Sequence, residues 1–367
     1  MTMKSTLPEE RWKEYVATQL SAISALLKPI GYELSEHQPH LSGERYLMTR
    51  NKLVLAATRM KDGMKVIVKT SNHPDGQKEI ITEKTARDTL MSIEFASEYI
   101  LFPVEIYHGT KGGYMIWITE YIPQDKVFVA HTIEDQFFLI LRAFEAQESF
   151  HATTLEHLKT IQKNFVIFGP DKYLESFKTF PEKTRTAFAK IKSDPRFLVD
   201  ALKMLQSNVA VLGRYSNYLT HTDFVPHNFR VRDHAIYMLD CSAVHFGNKY
   251  EGWARFLNYM FIHNPKLEAM LLAYIRKNRG AEEYLDLRLM RAYKIGYLLN
   301  YYAAALEKTD GDLRELTKLR LSFWHDMLMA ILNDIQPDPK ILPEYLAGRN
   351  RLRSPEEKER QQEFAAA

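Results

Sequence analysis

Apolar residues change their spacing along the chain, and this change separates a strand-rich first part from a helical remainder. Short apolar or alternating runs in the first part predict strands, at 44–48, 53–60, 65–69 and 114–119. A helical period precedes and interrupts them, at 9–27 and 76–92. Later patterns are helical except for one apolar strand at 235–239, and they lie at 132–151, 173–192, 194–206, 252–262, 266–278, 282–306 and 312–335. The sequence therefore predicts an α+β chain.

The most informative segment is the loop that begins at His221 and the strand that follows it. Asp223 stands at the head of the loop, Asn228 follows five residues later, and Asp240 closes the apolar strand. A carboxylate at Asp223 suits the removal of a proton from an attacking hydroxyl. The oxygens of Asn228 and Asp240 suit a magnesium ion that bridges nucleotide phosphates. This order of residues matches the phosphoryl-transfer apparatus of kinases.

A lysine and a glutamate upstream form the second expected feature of such an apparatus. Lys69 ends a predicted strand, where a lysine can contact the α- and β-phosphates of a nucleotide. Glu83 lies on the apolar face of the predicted helix at 76–92, where a charge requires a partner. We therefore expect Glu83 to pair with Lys69, with Glu79, one turn earlier, as the rival partner.

With these residues the chain resembles the aminoglycoside phosphotransferase and choline kinase family, the small-molecule branch of the protein-kinase-like fold. The resemblance rests on His221 and Asp223, on Asn228, and on Asp240 at the end of a strand. It implies a two-lobed fold, with a small antiparallel-sheet lobe plus a larger mainly helical lobe. It also implies Mg²⁺-dependent transfer of the γ-phosphate of ATP, or of another nucleoside triphosphate, to a hydroxyl of a small molecule. Thr222 replaces the arginine of protein kinases that reads a phosphorylated activation loop, which disfavours a protein substrate.

The resemblance also implies where the lobes divide. The strand at 114–119 and the residues Glu120 to Pro123 resemble the fifth strand and the hinge of kinases. Adenine would then meet the carbonyl of Glu120 and the amide of Ile122. The implied divisions are a small lobe at 1–122 and a helical lobe with the catalytic loop and the acceptor site at 123–343. The charged and polar composition after Pro343 predicts a solvated, flexible tail at 344–367, with at most one frayed helix.

Two positions depart from the family pattern. No glycine-rich motif precedes Lys69, and the connection in that place carries Arg50 and Lys52. These cations either cradle the phosphates together with turn amides or form a solvated hairpin tip, and both interpretations stay open. The family's aspartate on the helix after the metal aspartate is also absent, and Glu251 is its expected replacement.

Composition agrees with an intracellular enzyme. Apolar residues make up 46% of 367, and the single cysteine suits a reducing compartment. The start of the chain lacks the apolar core of a signal peptide, and no apolar run reaches the length of a membrane span. A net charge of +3 is too small to imply a nucleic-acid partner. We therefore expect a cytoplasmic protein without a membrane or nucleic-acid partner.

Two other functions stay open at this point. The missing glycine-rich loop leaves room for a non-catalytic, kinase-like nucleotide-binding protein. A zinc or iron site of His221, Asp223 and His227 would explain the loop, but neither Asn228 nor Asp240.

The acceptor is the least defined part of this prediction. Tyr293, Tyr297 and Tyr301 share one stripe of the predicted helix at 282–306, which is more typical of a core than of a pocket. Aminoglycosides are polycations that require clustered carboxylates, and the late helices show no convincing acidic cluster. Its nearest candidates are Glu282, Glu283 and Asp286.

Overall fold

The computed structural model of the protein describes residues 8–41, 52–94, 100–124, 126–151, 154–191 and 193–362. Ten strands lie in these residues: β1 (Tyr32–Leu34), β2 (Leu53–Arg59), β3 (Met64–Ser71), β4 (Ile100–Leu101), β5 (Glu105–Lys111), β6 (Tyr114–Glu120), β7 (Tyr218–His221), β8 (Phe229–Arg232), β9 (Ala235–Met238) and β10 (Val244–Gly247). The α-helices of the same residues are α1 (Pro8–Leu27), α2 (Pro74–Ser92), α3 (Ile133–Glu148), α4 (Leu155–Asn164), α5 (Pro170–Lys178), α6 (Phe180–Lys190), α7 (Arg196–Ser207), α8 (Val209–Arg214), α9 (Tyr250–His263), α10 (Pro265–Asn278), α11 (Gly280–Leu306), α12 (Gly311–Leu332), α13 (Ile341–Leu352) and α14 (Pro355–Gln362). A sheet lobe followed by a larger helical lobe confirms the predicted α+β, two-lobed architecture.

The small lobe is built on an antiparallel sheet with the strand order β1-β2-β3-β6-β5. The β2–β3 hairpin turns at Gly63, whose φ of 72° lies in the left-handed region that glycine adopts without strain. Helix α1 lies against the sheet, because Trp12 and Ile23 are buried in one apolar cluster with Leu55 and Val68. Burial of the alternate side chains of β2 and β3 thus fixes the register in which Lys69 is presented.

Helix α2 follows β3 directly and packs against it. It begins after His73, whose ring nitrogen accepts a hydrogen bond from the amide of Asp75, and Pro74 suits its first turn because that position needs no amide donor. Ile80 and Leu90 are buried on the same face as Glu83. The helix therefore delivers a carboxylate to the interior beside β3.

Two short antiparallel pairs of strands, β7–β10 and β8–β9, hold the loop that begins after His221. The β8–β9 hairpin pairs Phe229 with Met238. The pairing continues outward, because the amide of Leu239 donates to the carbonyl of Asn228 at 3.0 Å. Asp240 is thereby brought back beside the loop.

Helix α11 lies at the centre of the large lobe and packs against α6, α9 and α12. Helix α13 covers α12, where the ring of Tyr345 stacks on Phe323 with 4.1 Å between centroids. The segment 344–367, predicted to be a solvated tail, is thus helical up to Gln362, because the buried Tyr345 anchors it to the lobe.

Several predicted elements differ from the observed ones. The helix predicted at 173–192 is two helices that meet at Thr179, because Pro181 lacks an amide and fits only the first turn of α6. Elements that were not predicted are strands β1, β4, β5, β7, β8 and β10 and helices α4 and α8, and the strand predicted at 44–48 lies outside the described residues. None of the described helices combines the length and the apolar character that crossing a membrane requires.

Candidate functional site

A cleft of about 1090 Å³ lies between the two lobes and is lined by side chains from both. The predicted site residues within the described part of the chain reach this cleft or its wall. Those that line it are Lys52, Lys69, Glu120, Ile122, Asp223, Asn228 and Asp240. Glu83 lies behind the wall, with only 1% of its surface exposed. Arg50 lies outside the described residues.

Lys69 connects the two lobes. Its Nζ forms an ion pair with Oε1 of Glu83 and donates to the carbonyl of Leu239 at 2.8 Å. Trp117 of β6 lies opposite Lys69 of β3, and its ring centroid is 5.3 Å from the ammonium. The structure therefore places Lys69 beside Glu83, as the helical face had indicated, and next to the residue that precedes Asp240.

Lys52 occupies a position that the sequence did not anticipate. Its Nζ lies 2.7 Å from Glu79 and 3.3 Å from Glu83, and its side chain is only 5% exposed. The interpretation of Lys52 as a solvated hairpin tip was therefore wrong. Burial disfavours the charged ammonium, but Asp240, Glu83 and Glu79 outweigh burial and raise the pKa of Lys52. Glu83 therefore contacts two buried cations, Lys52 and Lys69. Glu79, the rival partner for Lys69, pairs with Lys52.

His221 braces the loop through both nitrogens of its ring. Its Nδ1 accepts from the amide of Asp223 at 3.2 Å, so Nε2 carries the proton and donates to the carbonyl of Asp240 at 2.6 Å. Burial lowers the pKa of His221, which keeps the ring neutral. Because both nitrogens are engaged, His221 cannot serve as a zinc or iron ligand in this arrangement. The described residues also contain no cluster of three or more His, Cys, Asp or Glu side chains arranged to hold a metal.

Asn228 is oriented by the aspartate at the head of its own loop. Its Nδ2 donates to the carbonyl of Asp223 at 2.8 Å and to Oδ2 of Asp223 at 2.9 Å. Both partners are acceptors, so the amide nitrogen must face them, and Oδ1 of Asn228 is left to accept.

Asp240 is held as a carboxylate with one oxygen committed. Its Oδ1 accepts from the amide of Ser242 at 3.1 Å and from the hydroxyl of Ser242 at 2.5 Å. Among the described residues, Oδ2 has no hydrogen-bond partner. Burial opposes the charge, but Lys52 and Lys69 hold the pKa of Asp240 well below its usual range. Asp240 and Asn228 line the same cleft, and an ionised Oδ2 together with an amide Oδ1 fits Mg²⁺, which takes few protein oxygens and completes its shell with phosphate and water.

Asp223 has a partner that the sequence analysis missed. Nε of Arg255, on α9, lies 2.7 Å from its Oδ1. Desolvation in the cleft raises the pKa of Asp223, but Arg255 outweighs this effect and lowers it. The side chain of Asp223 is nevertheless 47% exposed, so the carboxylate still faces the cleft. No local signal marks Arg255, because 32 residues separate it from its partner.

The predicted hinge residues lie at the end of β6. Oε1 of Glu120 accepts from the amide of Val104 at 3.2 Å, which fixes the strand end. Ile122 is only 2% exposed and lines the cleft together with Tyr121. Their contact with adenine stays a prediction.

The expectation that Glu251 replaces the family's aspartate on α9 was wrong. Its carboxylate contacts Lys294 at 3.1 Å and His245 at 2.8 Å, away from the loop of Asp223. Burial alone would raise the pKa of Glu251, but Lys294 and His245 lower it to about 2. The neighbouring Gly252 packs against the loop instead, since a Cβ there would lie 2.9 Å from the carbonyl of His221.

The fold of the chain is that of small-molecule phosphotransferases of known structure. Aminoglycoside phosphotransferase APH(2'')-Ib in its ADP-bound form matches with a TM-score of 0.52 and 14% identity, over 77% of this chain and 92% of its own. A thermostable mutant of aminoglycoside phosphotransferase APH(4)-Ia in its apo form gives 0.54 and 14%, over 82% and 95%. Macrolide 2'-phosphotransferase type I gives 0.53 and 13%, over 88% and 99%. No protein-family model and no curated protein sequence matches the chain.

Proposed function

We propose that the protein is an ATP- and Mg²⁺-dependent kinase that transfers the γ-phosphate to a hydroxyl of a small molecule. The observation that carries this proposal is that the predicted site residues of both lobes meet in one cleft. Lys69, held by Glu83, reaches the same cleft as Asn228, Asp240 and Asp223, although the two groups come from different lobes. The fold shared with aminoglycoside and macrolide phosphotransferases supports the proposal.

In this proposal the nucleotide occupies the side of the cleft nearest the small lobe. Adenine lies at Glu120 and Ile122, and Lys69 contacts the phosphates while Glu83 fixes its direction. Oδ1 of Asn228 and Oδ2 of Asp240 hold Mg²⁺, which, when bound, neutralises charge that develops on the transferred group. A contact of the phosphates with Arg50 or Lys52 remains part of the prediction.

Asp223 faces the acceptor. Its carboxylate accepts a hydrogen bond from the acceptor hydroxyl and receives the proton as the new bond to phosphorus forms. The lowered pKa makes Asp223 a weak base, which suits phosphoryl transfer, because the hydroxyl proton leaves late in a loose transition state.

One observation favours a second function, that of a non-catalytic nucleotide-binding protein. Arg255 occupies Oδ1 of Asp223 and competes with an acceptor hydroxyl for it. If that ion pair persists with a nucleotide bound, the chain binds ATP without transferring phosphate. Replacement of Arg255 with alanine would then free Asp223 and produce transfer that the unaltered protein lacks.

Kinetics of the Asp223→Asn variant test the proposed function. Asparagine keeps the size of the side chain but loses its proton-accepting charge. With an acceptor found by screening for ADP release, we expect turnover to fall by about 10² or more, the usual loss for a positioned general base. The affinity for Mg²⁺–ATP, measured by calorimetry, should stay nearly unchanged, because Asp223 lies on the acceptor side.

Two results would contradict the proposal. Wild-type turnover in a correctly folded Asp223→Asn protein would remove Asp223 from the mechanism. Failure of the wild-type protein to bind ATP in the presence of Mg²⁺ would overturn the kinase assignment as a whole.

A further inference from the structure

The part of the cleft beyond Asp223 is rich in positive charge. We call the part lined by α9 and by α11 to α14 the acceptor half. Five cationic side chains line it: Arg255, Lys294, Arg320, Arg349 and Arg353. Arg255 lies on α9 and Lys294 on α11, whereas Arg349 lies in the last turn of α13 and Arg353 is the residue that follows this helix.

Carboxylates of the acceptor half pair with two of these cations, Arg255 with Asp223 and Lys294 with Glu251, and they leave Arg349 and Arg353 without an ion pair in the described residues. Besides Asp223, its described lining contains Glu251 and Glu357. Both are buried, at 3% and 2% exposure. Glu251 is committed to Lys294 and His245, as described above. A polycationic acceptor would therefore meet cations and few accessible carboxylates.

Arg349 lies one helical turn after the buried Tyr345 on α13, and Arg353 follows as the C-cap, where its amide donates to the carbonyl of Arg349. Neither forms an ion pair with any described residue. Arg349 makes only long hydrogen bonds to Oδ1 of Asn350, at 3.4 and 3.5 Å. Nε of Arg353 is buried without a hydrogen-bond partner in the described residues. Buried polar groups are almost always satisfied, so the buried Nε of Arg353, which has no acceptor among the described residues, indicates a missing acceptor of hydrogen bonds.

The surroundings of Arg349 disfavour its charge. Burial lowers the pKa of Arg349, and Arg353 lowers it further. Burial also lowers the pKa of His263 to about 3, with Arg349 contributing next, so that this histidine is neutral. An anion bound between the two guanidinium groups would relieve the repulsion, and their planar forks match the oxygens of a carboxylate or a phosphate.

The same residues connect α13 to the reacting centre. The ring of His263 stacks on Tyr259, with 4.1 Å between centroids. His263 experiences the charges of both Arg349 and Arg255. Because Arg255 in turn contacts Asp223, the arginines at the end of α13 and Asp223 face one continuous space.

We propose that the acceptor is an anionic hydroxyl compound whose carboxylate or phosphate group is bound by Arg349 and Arg353. This inference rests on the proposed kinase function and specifies its substrate class. In the reaction, the acceptor oxygen forms a bond to the γ-phosphorus, and the bond from that phosphorus to the β,γ-bridging oxygen breaks. The hydroxyl proton passes to Asp223, and ADP leaves.

Pairs of acceptors that differ in an anionic group test whether the protein prefers an anionic acceptor. ADP release is measured with Mg²⁺–ATP for gluconate against glucitol, and for glucose 6-phosphate against glucose, with gentamicin as a polycation. We expect kcat/KM at least tenfold higher for the anionic member of a pair. The pair with the larger ratio identifies carboxylate or phosphate as the preferred anion. Preference for the neutral members or for gentamicin would overturn the inference while leaving the kinase function intact.

Substitutions at the end of α13 locate the anion. Arg349→Gln combined with Arg353→Gln should raise KM for the anionic acceptor tenfold or more, with kcat changed less than threefold and ATP affinity unchanged. Arg351→Gln, an exposed change on the same helix, is the matched control and should alter none of these values. An equal loss in the double variant for anionic and neutral acceptors would contradict the assignment.

A binding assay decides the case in which none of these compounds is phosphorylated. Inorganic phosphate is titrated into protein saturated with AMP-PNP and Mg²⁺, so that the nucleotide site is filled. Binding that is lost in the double variant and kept in Arg351→Gln supports the inference. Absence of phosphate binding to the wild-type protein overturns it. Failure to bind AMP-PNP at all would instead contradict the kinase function.

Discussion

Glu83 compensates two buried lysines at once, and its removal gives a sharp prediction of stability. In the Glu83→Gln variant, Lys69 keeps the carbonyl of Leu239 and Lys52 keeps Glu79. The carboxylate that both lysines share is lost, however. In the unaltered protein, Glu83 and Asp240 balance Lys52 and Lys69, whereas in the variant the two lysines face Asp240 alone in this buried group. Removal of one partner from a buried ion pair costs about 3–5 kcal/mol. Because Asp240 and Glu79 remain, we expect the lower end of this range, about 3 kcal/mol.

Glu79→Gln is the matched control for this prediction. Glu79 lies on the same helix, is 25% exposed and, within the described part of the chain, pairs with Lys52, which retains Glu83. A partly exposed pair of this kind contributes about 1 kcal/mol or less. The free energy of unfolding, measured by urea titration with circular dichroism and tryptophan fluorescence, should therefore fall about three times as far for Glu83→Gln. Equal losses in the two variants, or a loss below about 1 kcal/mol for Glu83→Gln, would refute the shared-carboxylate argument.

Three further predictions concern the cleft. Lys69→Ala should weaken Mg²⁺–ATP binding by about tenfold or more in a folded protein, because a charge that contacts phosphate is lost; unchanged affinity in calorimetry would remove Lys69 from the site. Asp240→Asn should abolish the dependence of ATP affinity on Mg²⁺, and an equal dependence in the variant and the wild type would contradict its role as a ligand. Arg255 lowers the pKa of Asp223, so the carboxylate stays ionised, and activity persists, until the pH falls below the usual carboxylate value of 3.8. In a pH profile, Arg255→Gln should therefore shift the acid limb to higher pH, and an unmoved limb would show that the ion pair does not control Asp223.

The sequence was most informative where the chemistry is local. The loop from His221 to Asn228 and the strand that returns Asp240 form one continuous segment, so their proximity follows from a single hairpin. The pairing of Lys69 with Glu83 was also accessible, because a glutamate on an apolar helical face requires a cation.

Long-range partners were not accessible in the same way. Lys52 meets Glu83 across 31 residues, and Arg255 meets Asp223 across 32, through packing that no periodicity encodes. The charged composition after residue 343 concealed a helix that lines the cleft. Tyr345 and Arg349, four residues apart, nevertheless mark one face of this helix.

The hydrogen bond from Lys69 to the carbonyl of Leu239 has a consequence for motion. One side chain of the small lobe is fastened to the backbone of the large lobe at 2.8 Å, so opening of the hinge must break this bond. If Lys69 contacts phosphate, as proposed, the phosphate oxygens and the carbonyl of Leu239 compete for the same ammonium protons. Hinge opening and nucleotide binding would then be coupled. A substitution that weakens the hydrogen bond between Lys69 and Leu239 would also change the rate at which the nucleotide enters and leaves.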